Sequence, residues 1–501
     1  MEEIHYKAKK DKPFKFFRSG GSKLLLLALS ISFWTICINV ALSQDNQYII
    51  NGDSVELDPQ AELIIDKIFI VGNRRTKEQI ILRELGFREG NLIKRIDLEE
   101  RIKKDKQKLM NTRLFMSVEF DLIDLPDGKV DAIIRVTERW YFFPIPIFEL
   151  ADRNFVDWWV NHKHDLKRIE YGLKLYQYNV RGRNETLKLV AQFGYTKRFE
   201  LAYSFPYIDK NQKWGLNIFG GYSVNRNTAY KTEAHKRIFL DGESMLRERT
   251  RAGISTTYRK SFYNFHTFGV NYYYSHVQDT IIQLNPNYFL NNGTEQRYFE
   301  LEYIFIRDLR DVAQYPLNGF YILGSIEKKG LGIYGDVDKF ELSALYNKYW
   351  DLGKKFYLVG SVGGTLSFPE PQPYNLLTSI GYRPFTLRGY ELYVVEGQHF
   401  INSKWTFKRL LVKGNPQIET FYRADQLNEF PFAIYMKTYF DIGYVHNYMD
   451  YIENSSFTDV LIYGAGIGID LVTFYDIVFR FEYSINKEGE SGFVFGVRSN
   501  F

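Results

Sequence analysis

The sequence predicts an all-β transmembrane barrel of about 16 antiparallel strands, preceded by one small α+β domain. Two observations support this fold class. Aromatic residues make up 17% of the 501 residues, yet the mean hydropathy is only −0.31, because lipid-facing and lumen-facing side chains alternate along such strands and cancel in the average. Beyond Trp140, apolar and polar residues alternate in segment after segment, which is the period of a β-strand.

Residues 1–43 have the pattern of a secretory signal peptide. Basic residues precede an apolar run from Leu24 to Val40, and Ala41-Leu42-Ser43 supplies the small residues that a signal peptidase requires. We expect export with cleavage near Ser43, followed by a linker over residues 44–61. A retained membrane anchor is the alternative, because the run reaches the lower limit of length for spanning a bilayer. The single cysteine, Cys37, lies in this segment, so the mature chain would form no disulfide.

Residues 62–139 predict a separate domain with the order strand, helix, helix, strand, strand. Thr76 is a plausible N-cap for the first helix, which would run through Leu85. The other predicted elements are a strand over Leu63–Val71, a helix over Leu98–Asn111, strands over Phe115–Leu122 and Lys129–Thr137, and a turn at Leu125-Pro126-Asp127-Gly128.

This domain resembles a POTRA domain, the periplasmic module of outer-membrane assembly and secretion barrels. The resemblance rests on Ile70-Val71-Gly72-Asn73-Arg74-Arg75-Thr76 and on Asn111-Thr112-Arg113-Leu114-Phe115-x-x-Val118. It implies that the module receives extended polypeptides, because a sheet edge can accept a client strand through main-chain hydrogen bonds. We expect Phe115, Val118 and Phe120 to contact such a client. A simple spacer is the alternative.

The alternating pattern of residues 140–501 predicts the barrel. About sixteen alternating segments each approach the nine to eleven residues that a tilted strand needs to cross a bilayer, and an even number places both ends of the barrel in the periplasm. Connections on the outer side are mostly long, as around 223–247 and 367–396. The last strand carries Phe493, Phe495, Val497 and the final Phe501 on one face, the pattern of a C-terminal insertion signal.

Two motifs point to a family. Leu387-Arg388-Gly389-Tyr390 lies in the long connection between the eleventh and twelfth strands, and Tyr439-x-Asp441-x-Gly443 lies on the thirteenth. They resemble the VRGY/F and F-x-D-x-G signatures of the BamA/TamA superfamily, which also includes two-partner secretion pores. The resemblance, which covers residues 63–501, implies that the loop folds into the lumen and that its arginine pairs with the aspartate.

The period of the thirteenth strand supports the same pairing without reference to the family. Its lipid-facing positions are apolar, so Asp441 shares the lumen face with Lys437 and Tyr439. A guanidinium and a carboxylate form a geometrically specific pair. A surface arginine in an exposed loop is the alternative. Gly389 would allow the loop to turn tightly, and Gly464-x-Gly466-x-Gly468 on a later strand would leave room for it.

The resemblance implies an outer-membrane insertion factor of the BamA/TamA type, with a two-partner secretion pore as the alternative. Its partners would be unfolded outer-membrane or secreted polypeptides, outer-membrane lipid and accessory lipoproteins. We expect no cofactor and no nucleic-acid partner, since most of the formal charge of +5 lies in the signal segment.

We also expect no enzyme, because the sequence lacks G-x-S-x-G, HExxH and P-loop motifs. His162 and His164 form a weak candidate metal site in a polar loop. His399 and Ser403 share the outward face of a strand, but their spacing is wrong for catalytic partners.

Overall fold

The computed structural model describes most of the domain and barrel sequence. The signal segment 1–43, nearly all of the linker, His162, His164 and Phe501 lie outside the described residues, so the predictions for them remain predictions. The described residues are 60–150, 166–242, 244–290, 293–377, 379–381, 384–416, 431–447, 456–473 and 477–498. Within these ranges no helix has the length and apolar character needed to cross a bilayer.

The N-terminal domain has two helices on one face of a four-stranded sheet. Its sheet order is β2-β1-β4-β3, with β1 and β4 parallel and the other pairs antiparallel. The three-residue strand β2 was not predicted, because so short a segment carries no period-2 signal. The elements are β1 (Glu62–Val71), α1 (Glu78–Glu84), β2 (Leu92–Lys94), α2 (Arg95–Asn111), β3 (Phe115–Leu125) and β4 (Lys129–Glu138).

Apolar side chains from both helices pack against the sheet and form the core of this domain. Ile80 of α1 and Leu98 of α2 are fully buried, as are Ile65 and Ile134 of the central strands. The predicted N-cap at Thr76 is wrong, since α1 begins at Glu78 without a side-chain cap. The Thr76 hydroxyl instead contacts the hydroxyl of Tyr141 at 3.1 Å and accepts a hydrogen bond from Asn179 at 2.9 Å.

Sixteen antiparallel strands follow in one sheet, each paired with the next in the chain. The predicted barrel of sixteen strands is thus confirmed. A small segment is inserted into three of its outer connections. The barrel strands are β5 (Phe142–Leu150), β6 (Ile169–Tyr178), β7 (Thr186–Gly194), β8 (Thr196–Phe205), β9 (Trp214–Asn225), β12 (Arg247–Arg259), β13 (Asn264–Val277), β14 (Glu295–Asp308), β15 (Gly319–Lys329), β16 (Lys339–Gly353), β17 (Phe356–Phe368), β20 (His399–Gly414), β21 (Phe432–His446), β22 (Leu461–Val472), β23 (Val478–Asn486) and β24 (Ser491–Arg498). The inserted segments are the hairpin β10 (Asn227–Glu233) and β11 (Lys236–Asp241), helix α3 (Asp279–Leu284), and the pair β18 (Ser379–Ile380) and β19 (Val395–Glu396).

Side chains alternate between the outer surface and the lumen, as the sequence period predicts. On β21 the even-numbered Phe440 is 45% exposed on the outer face, whereas Tyr439 and Asp441 are buried on the lumen side. Apolar residues face outward on the neighbouring strands too, for example Ile401 and Tyr463. An apolar outer surface around a polar interior is the arrangement required of a barrel surrounded by lipid.

The N-terminal domain contacts the inner turns of the barrel, those on the side where β5 begins. The carboxylate of Glu84 on α1 accepts two hydrogen bonds of 2.6 Å from the guanidinium of Arg259 at the end of β12. Burial alone would raise the pKa of Glu84, but its hydrogen bonds and charge interactions with Arg259 and Arg83 outweigh that effect and lower the pKa. Lys108 of α2 lies 3.8 Å above the ring of Phe262 in the next inner turn.

Two further inner turns complete this contact. The Lys77 main-chain N–H donates to the carbonyl of Gly182 at 2.9 Å, and the Asn111 side-chain oxygen accepts from the N–H of Ala313 at 3.2 Å. Because these turns lie between β6 and β7 and between β14 and β15, the domain spans several strands of the barrel.

Candidate functional site in the barrel lumen

The connection between β17 and β20 turns into the lumen and is held there by Arg388. The Nε of Arg388 donates to Asp441 Oδ2 at 2.8 Å, its Nη2 donates to Asp441 Oδ1, and its main-chain N–H donates to Asp441 Oδ2 at 3.1 Å. The carboxylate on β21 is completely buried. The structure therefore brings together the two residues that the sequence motifs single out, in a two-pronged pair that fixes both the position and the orientation of the loop.

Tyr439 forms the floor beneath this pair. The guanidinium carbon of Arg388 lies 3.9 Å from the centre of the Tyr439 ring, a stacking geometry that favours arginine over lysine. The Tyr439 hydroxyl contacts the hydroxyl of Ser484 on β23 at 2.7 Å. A phenylalanine, the residue more common at this position in the resembling motif, could not make that contact.

The loop backbone passes very close to the barrel wall at Gly464 and turns sharply at Gly389. A Cβ at Gly464 on β22 would lie 2.0 Å from the carbonyl oxygen of Arg388, so any side chain there would displace the loop. Gly389 has φ +92°, a conformation that glycine adopts readily. The carbonyl of Gly389 accepts a hydrogen bond of 3.2 Å from the side chain of Asn486.

Leu387 and Tyr390 place the apolar side of the loop in a small core within the lumen. Both are 2% exposed, and Tyr390 packs edge to face against Phe457 with ring centres 5.4 Å apart. Gly443 of β21 leaves space here, because a Cβ there would lie 2.9 Å from Ile380 and 3.5 Å from Leu387. The two motifs therefore meet through packing as well as through the ion pair.

A second set of contacts, which we call the outer clamp, joins the loop to the β10–β11 hairpin. The Thr232 hydroxyl donates to Glu396 Oε1 at 2.9 Å, and the Val394 N–H donates to the carbonyl of His235 at 2.8 Å. The His235 Nε2 accepts the N–H of Phe457 at 3.0 Å. Burial raises the pKa of Glu396 to about 7 and lowers that of His235 to about 4.

Nearer the inner side, a buried charge network fills the lumen wall below Asp441. Lys437 of β21 forms ion pairs with Asp470 on β22 and with Glu482 on β23, the latter at 2.6 Å. Tyr315, from the inner turn between β14 and β15, donates to Asp470 Oδ2 at 2.8 Å, and Lys408 lies 3.8 Å above its ring. An inner turn thus enters the lumen from the opposite end to the loop.

The predicted client-contact residues need a correction. Phe115 and Val118 are each 1% exposed in the core of the N-terminal domain, so their side chains cannot contact a client, and Phe120 packs against the same core. Of this strand, the backbone edge alone is left for the client contact that the sequence predicts. The exposed apolar residues lie on the opposite face of the sheet, where Phe69 and Ile123 are each 46% exposed.

The described part of the terminal strand and the candidates His399 and Ser403 face the outer surface. Phe493 and Phe495 of β24 are 66% and 55% exposed, as a lipid-facing pair would be; for Val497 the structure describes only the backbone. His399 accepts the N–H of Ser367 at 3.2 Å, whereas Ser403 accepts from the indole of Trp405 at 3.0 Å, so the two do not act on each other. Within the described ranges no group of three His, Cys, Asp or Glu side chains could hold a metal ion.

The sequence analysis places Lys437 on the lumen face but does not identify its partners Asp470 and Glu482. It also does not identify the outer clamp. The first could have been found, because Asp470 and Glu482 occupy lumen-facing positions of the same period-2 pattern. The clamp carries no local signal, since Thr232 and Glu396 are 164 residues apart.

A barrel of sixteen strands, a docked α+β domain and a lumen loop anchored by an arginine define the class of this protein, a membrane β-barrel with an N-terminal accessory domain. Residues 179–501 match the Omp85 superfamily domain, and residues 63–139 match the POTRA family described as a surface antigen variable number repeat. The chain belongs to the Omp85 superfamily, and the resemblance to BamA/TamA-type proteins is confirmed.

Solved structures share the fold. BamA from Haemophilus ducreyi lacking POTRA domains 1–3 is 16% identical with a TM-score of 0.50, over 87% of this chain and 85% of that chain. CdiB from Escherichia coli is 11% identical with a TM-score of 0.52, over 87% of this chain and 75% of that chain. No curated protein sequence matches the chain.

Proposed function

We propose that this protein is an outer-membrane insertion factor of the BamA/TamA type, with its POTRA domain in the periplasm. The POTRA domain would receive unfolded polypeptides, and the edges of the end strands β5 and β24 would template their strands. The observation that carries this proposal is the occupied lumen, which leaves the sides of the barrel as the route for a client. Membership of a family that handles polypeptides at the outer membrane supports it.

Chain segments enter the lumen from both ends. The loop is anchored at Arg388 on one side and at Glu396 in the outer clamp, and the Tyr393 hydroxyl donates to Glu490 at 2.8 Å on a further outer connection. From the other side Tyr315 enters toward Asp470. A secreted chain passing through the lumen would first have to break these buried contacts, and breaking a buried ion pair by removing one partner costs about 3–5 kcal/mol.

The first barrel strand has an unusual edge. Pro144 and Pro146 both lie in β5, and neither can donate a main-chain hydrogen bond. Since β5 keeps a continuous ladder with β6 through both residues, their nitrogens are best accommodated on the other side of the strand, toward β24. Two missing donors weaken the pairing of β5 with β24 on that side, which would ease opening of the barrel between these two strands.

The POTRA sheet has two features that could bind a client polypeptide, an open strand edge and an exposed apolar face. Strand β3 is an edge strand, so its main chain can pair with an extended client. Beside it, exposed apolar residues cover the face of the sheet away from the helices: Phe69, Val71 and Ile123 are 46%, 49% and 46% exposed. An extended unfolded chain could therefore bind through its backbone to β3 and through its side chains to this face.

Reconstitution tests the proposal. The purified full chain in lipid vesicles is given a urea-unfolded outer-membrane barrel, and the folded client is measured by its heat-modifiable mobility and by protease protection. Insertion predicts a client folded in the bilayer and a several-fold lower rate for Phe69→Asp. The matched control is Ile96→Asp, an exposed apolar position (40%) on helix α2. A client recovered soluble inside the vesicles would instead establish a secretion pore, and an unchanged rate of client folding relative to empty vesicles would overturn both.

A further inference from the structure

Strand β12 carries arginines at alternate positions that face the lumen. Arg247, Arg249 and Arg251 are separated by outward-facing residues, so their guanidinium groups point to the same side of the strand. Neighbouring arginines in this row are about 7 Å apart along the strand. Like charges stacked in this way repel one another unless something of opposite charge lies between them.

These arginines line a cavity of about 340 Å³ in the lumen wall, which we call the arginine pocket. Small residues on both sides make room for it: Ser223 of β9 and Ser275 of β13 flank Arg249 in the ladder, and Gly221 flanks Arg251. Arg198 of β8 joins the lining. The volume lies near the lower end of the range for small-molecule sites.

Two outer connections close over the arginine pocket. Tyr288 and Asn375 line it from above, and the Tyr288 hydroxyl accepts a hydrogen bond of 3.2 Å from Arg247. Asn375 donates to Gln296 Oε1 at 2.8 Å. Tyr288 and Asn375 therefore bound the pocket on its outer side, while Arg249 and Arg251 remain exposed to the lumen.

Among the described residues of its lining, three buried donors and one buried acceptor, Asn375 Oδ1, have no hydrogen-bond partner. Gln296 is 1% exposed, and its Nε2 has no hydrogen-bond partner among the described residues; the buried Nε atoms of Arg198 and Arg247 are in the same state. The carboxylate of Glu200 is already paired with Lys188 at 2.8 Å and with Arg251 at 2.6 Å. Buried donors without partners are costly unless a ligand satisfies them.

We propose that the arginine pocket binds a phosphate-type oxyanion, either inorganic phosphate or the phosphate ester group of a small molecule or lipid headgroup. Guanidinium groups match the oxygens of phosphate in geometry and charge, and the Gln296 amide and the two serine hydroxyls can donate to the same ligand. Such a ligand would relieve the repulsion along β12 and tie five strands and two outer connections together. The site does not depend on the proposed function.

Calorimetric titration of the full chain in detergent at low ionic strength tests this inference. The probes are inorganic phosphate, glycerol phosphate as the soluble form of a headgroup ester, and chloride. Saturable binding is expected for phosphate or for the ester, weakened at least tenfold in Arg249→Gln and in Arg198→Gln. Arg297→Gln is the matched control, because Arg297 lies over Tyr334 outside the pocket lining and should leave binding unchanged.

Comparison of the three probes distinguishes the possible ligands. Binding of both phosphates identifies the oxyanion itself as the ligand, and binding of the ester alone identifies a headgroup or small-molecule ester. Heat from both phosphates equal to that from chloride, or unchanged binding in both pocket variants that still fold as judged by heat-modifiable mobility, would show an ordinary solvated wall and overturn the inference.

Discussion

Arg388 and Asp441, 53 residues apart in the chain, form a buried ion pair that joins the lumen loop to the thirteenth barrel strand. Removal of the guanidinium would leave a fully buried carboxylate without its counter-charge, which typically costs about 3–5 kcal/mol. Arg388→Ala should therefore release the loop while the strands keep their ladder. The measurement is the maleimide labelling rate of Leu387→Cys, a position 2% exposed, in a background with Cys37→Ser.

The labelling rate needs an internal reference. Leu392 is 65% exposed in the same loop, so Leu392→Cys reports reagent access independent of docking. Arg388→Ala should raise the ratio of the Leu387→Cys rate to the Leu392→Cys rate by at least tenfold, with Arg388→Lys intermediate because lysine cannot form the two-pronged contact. A ratio that Arg388→Ala leaves unchanged would mean that packing alone holds the loop.

Gly464 gives a steric test of the same docking. A methyl group there would lie 2.0 Å from the carbonyl oxygen of Arg388, so Gly464→Ala should displace the loop without removing any charge. The same labelling ratio should rise. Gly220→Ala is the matched control, since a Cβ at Gly220 meets nothing within 4 Å. Equal ratios for the two variants would contradict the close approach of loop and strand.

The sequence predicts those features of the molecule that depend on residues close together in the chain. The strand period is local and strong, so the sixteen strands and the inward orientation of Asp441 follow from it. The same period could not show that Phe115 and Val118 face the helices of their own domain, because both faces of that sheet carry apolar residues. Strand β2 was missed because three residues carry no period.

Contacts between distant segments were the other limit. Glu84 and Arg259 are 175 residues apart, and neither occupies a motif, so no pattern in the chain links them. The pair of Arg388 and Asp441 was predictable only because each belongs to a recognisable motif and the strand period placed the aspartate inside. The outer clamp and the arginine pocket have no such motif, and the folded structure was needed to find them.

The ion pair between Glu84 and Arg259 should help to hold the POTRA domain against the barrel. The pKa of Glu84 is below its usual 4.5, so its contribution is present above that pH and is lost as the pH falls through the lowered value. Glu84→Gln should weaken docking at neutral pH. Fluorescence energy transfer between labels at the exposed Lys104→Cys and Lys210→Cys measures the approach of the two parts.

The matched control for this pair is Glu78→Gln, an exposed glutamate in the first turn of the same helix. Transfer efficiency in the wild type should stay constant from pH 8 to about 5 and fall at lower pH, whereas Glu84→Gln should start lower and show less change. The assigned role of the ion pair fails if the two variants behave alike.

The outer clamp predicts the opposite pH dependence for the lumen loop. The pKa of Glu396 is raised to about 7, so its neutral form is the one the fold prefers, and the stability it contributes is lost as the pH rises through 7. His235, with a pKa lowered to about 4, acts in the other direction, but only below its usual value of 6.5. Most of the loss falls between pH 4.5 and 7, and its last part, above pH 6.5, is therefore observed without the effect of His235.

Val395 is fully buried beside Glu396, so the labelling rate of Val395→Cys measures release of the clamp. Divided by the rate of Leu392→Cys, which corrects for titration of the thiol, it should rise between pH 6.5 and 8.5. Glu396→Gln mimics the neutral carboxyl group and should keep the ratio low throughout. The pKa difference from 4.5 to about 7 corresponds to about 3 kcal/mol, an upper value for the stabilisation by this variant at high pH. A wild-type ratio independent of pH would mean that Glu396 titrates as an ordinary glutamate and that the clamp is held by packing.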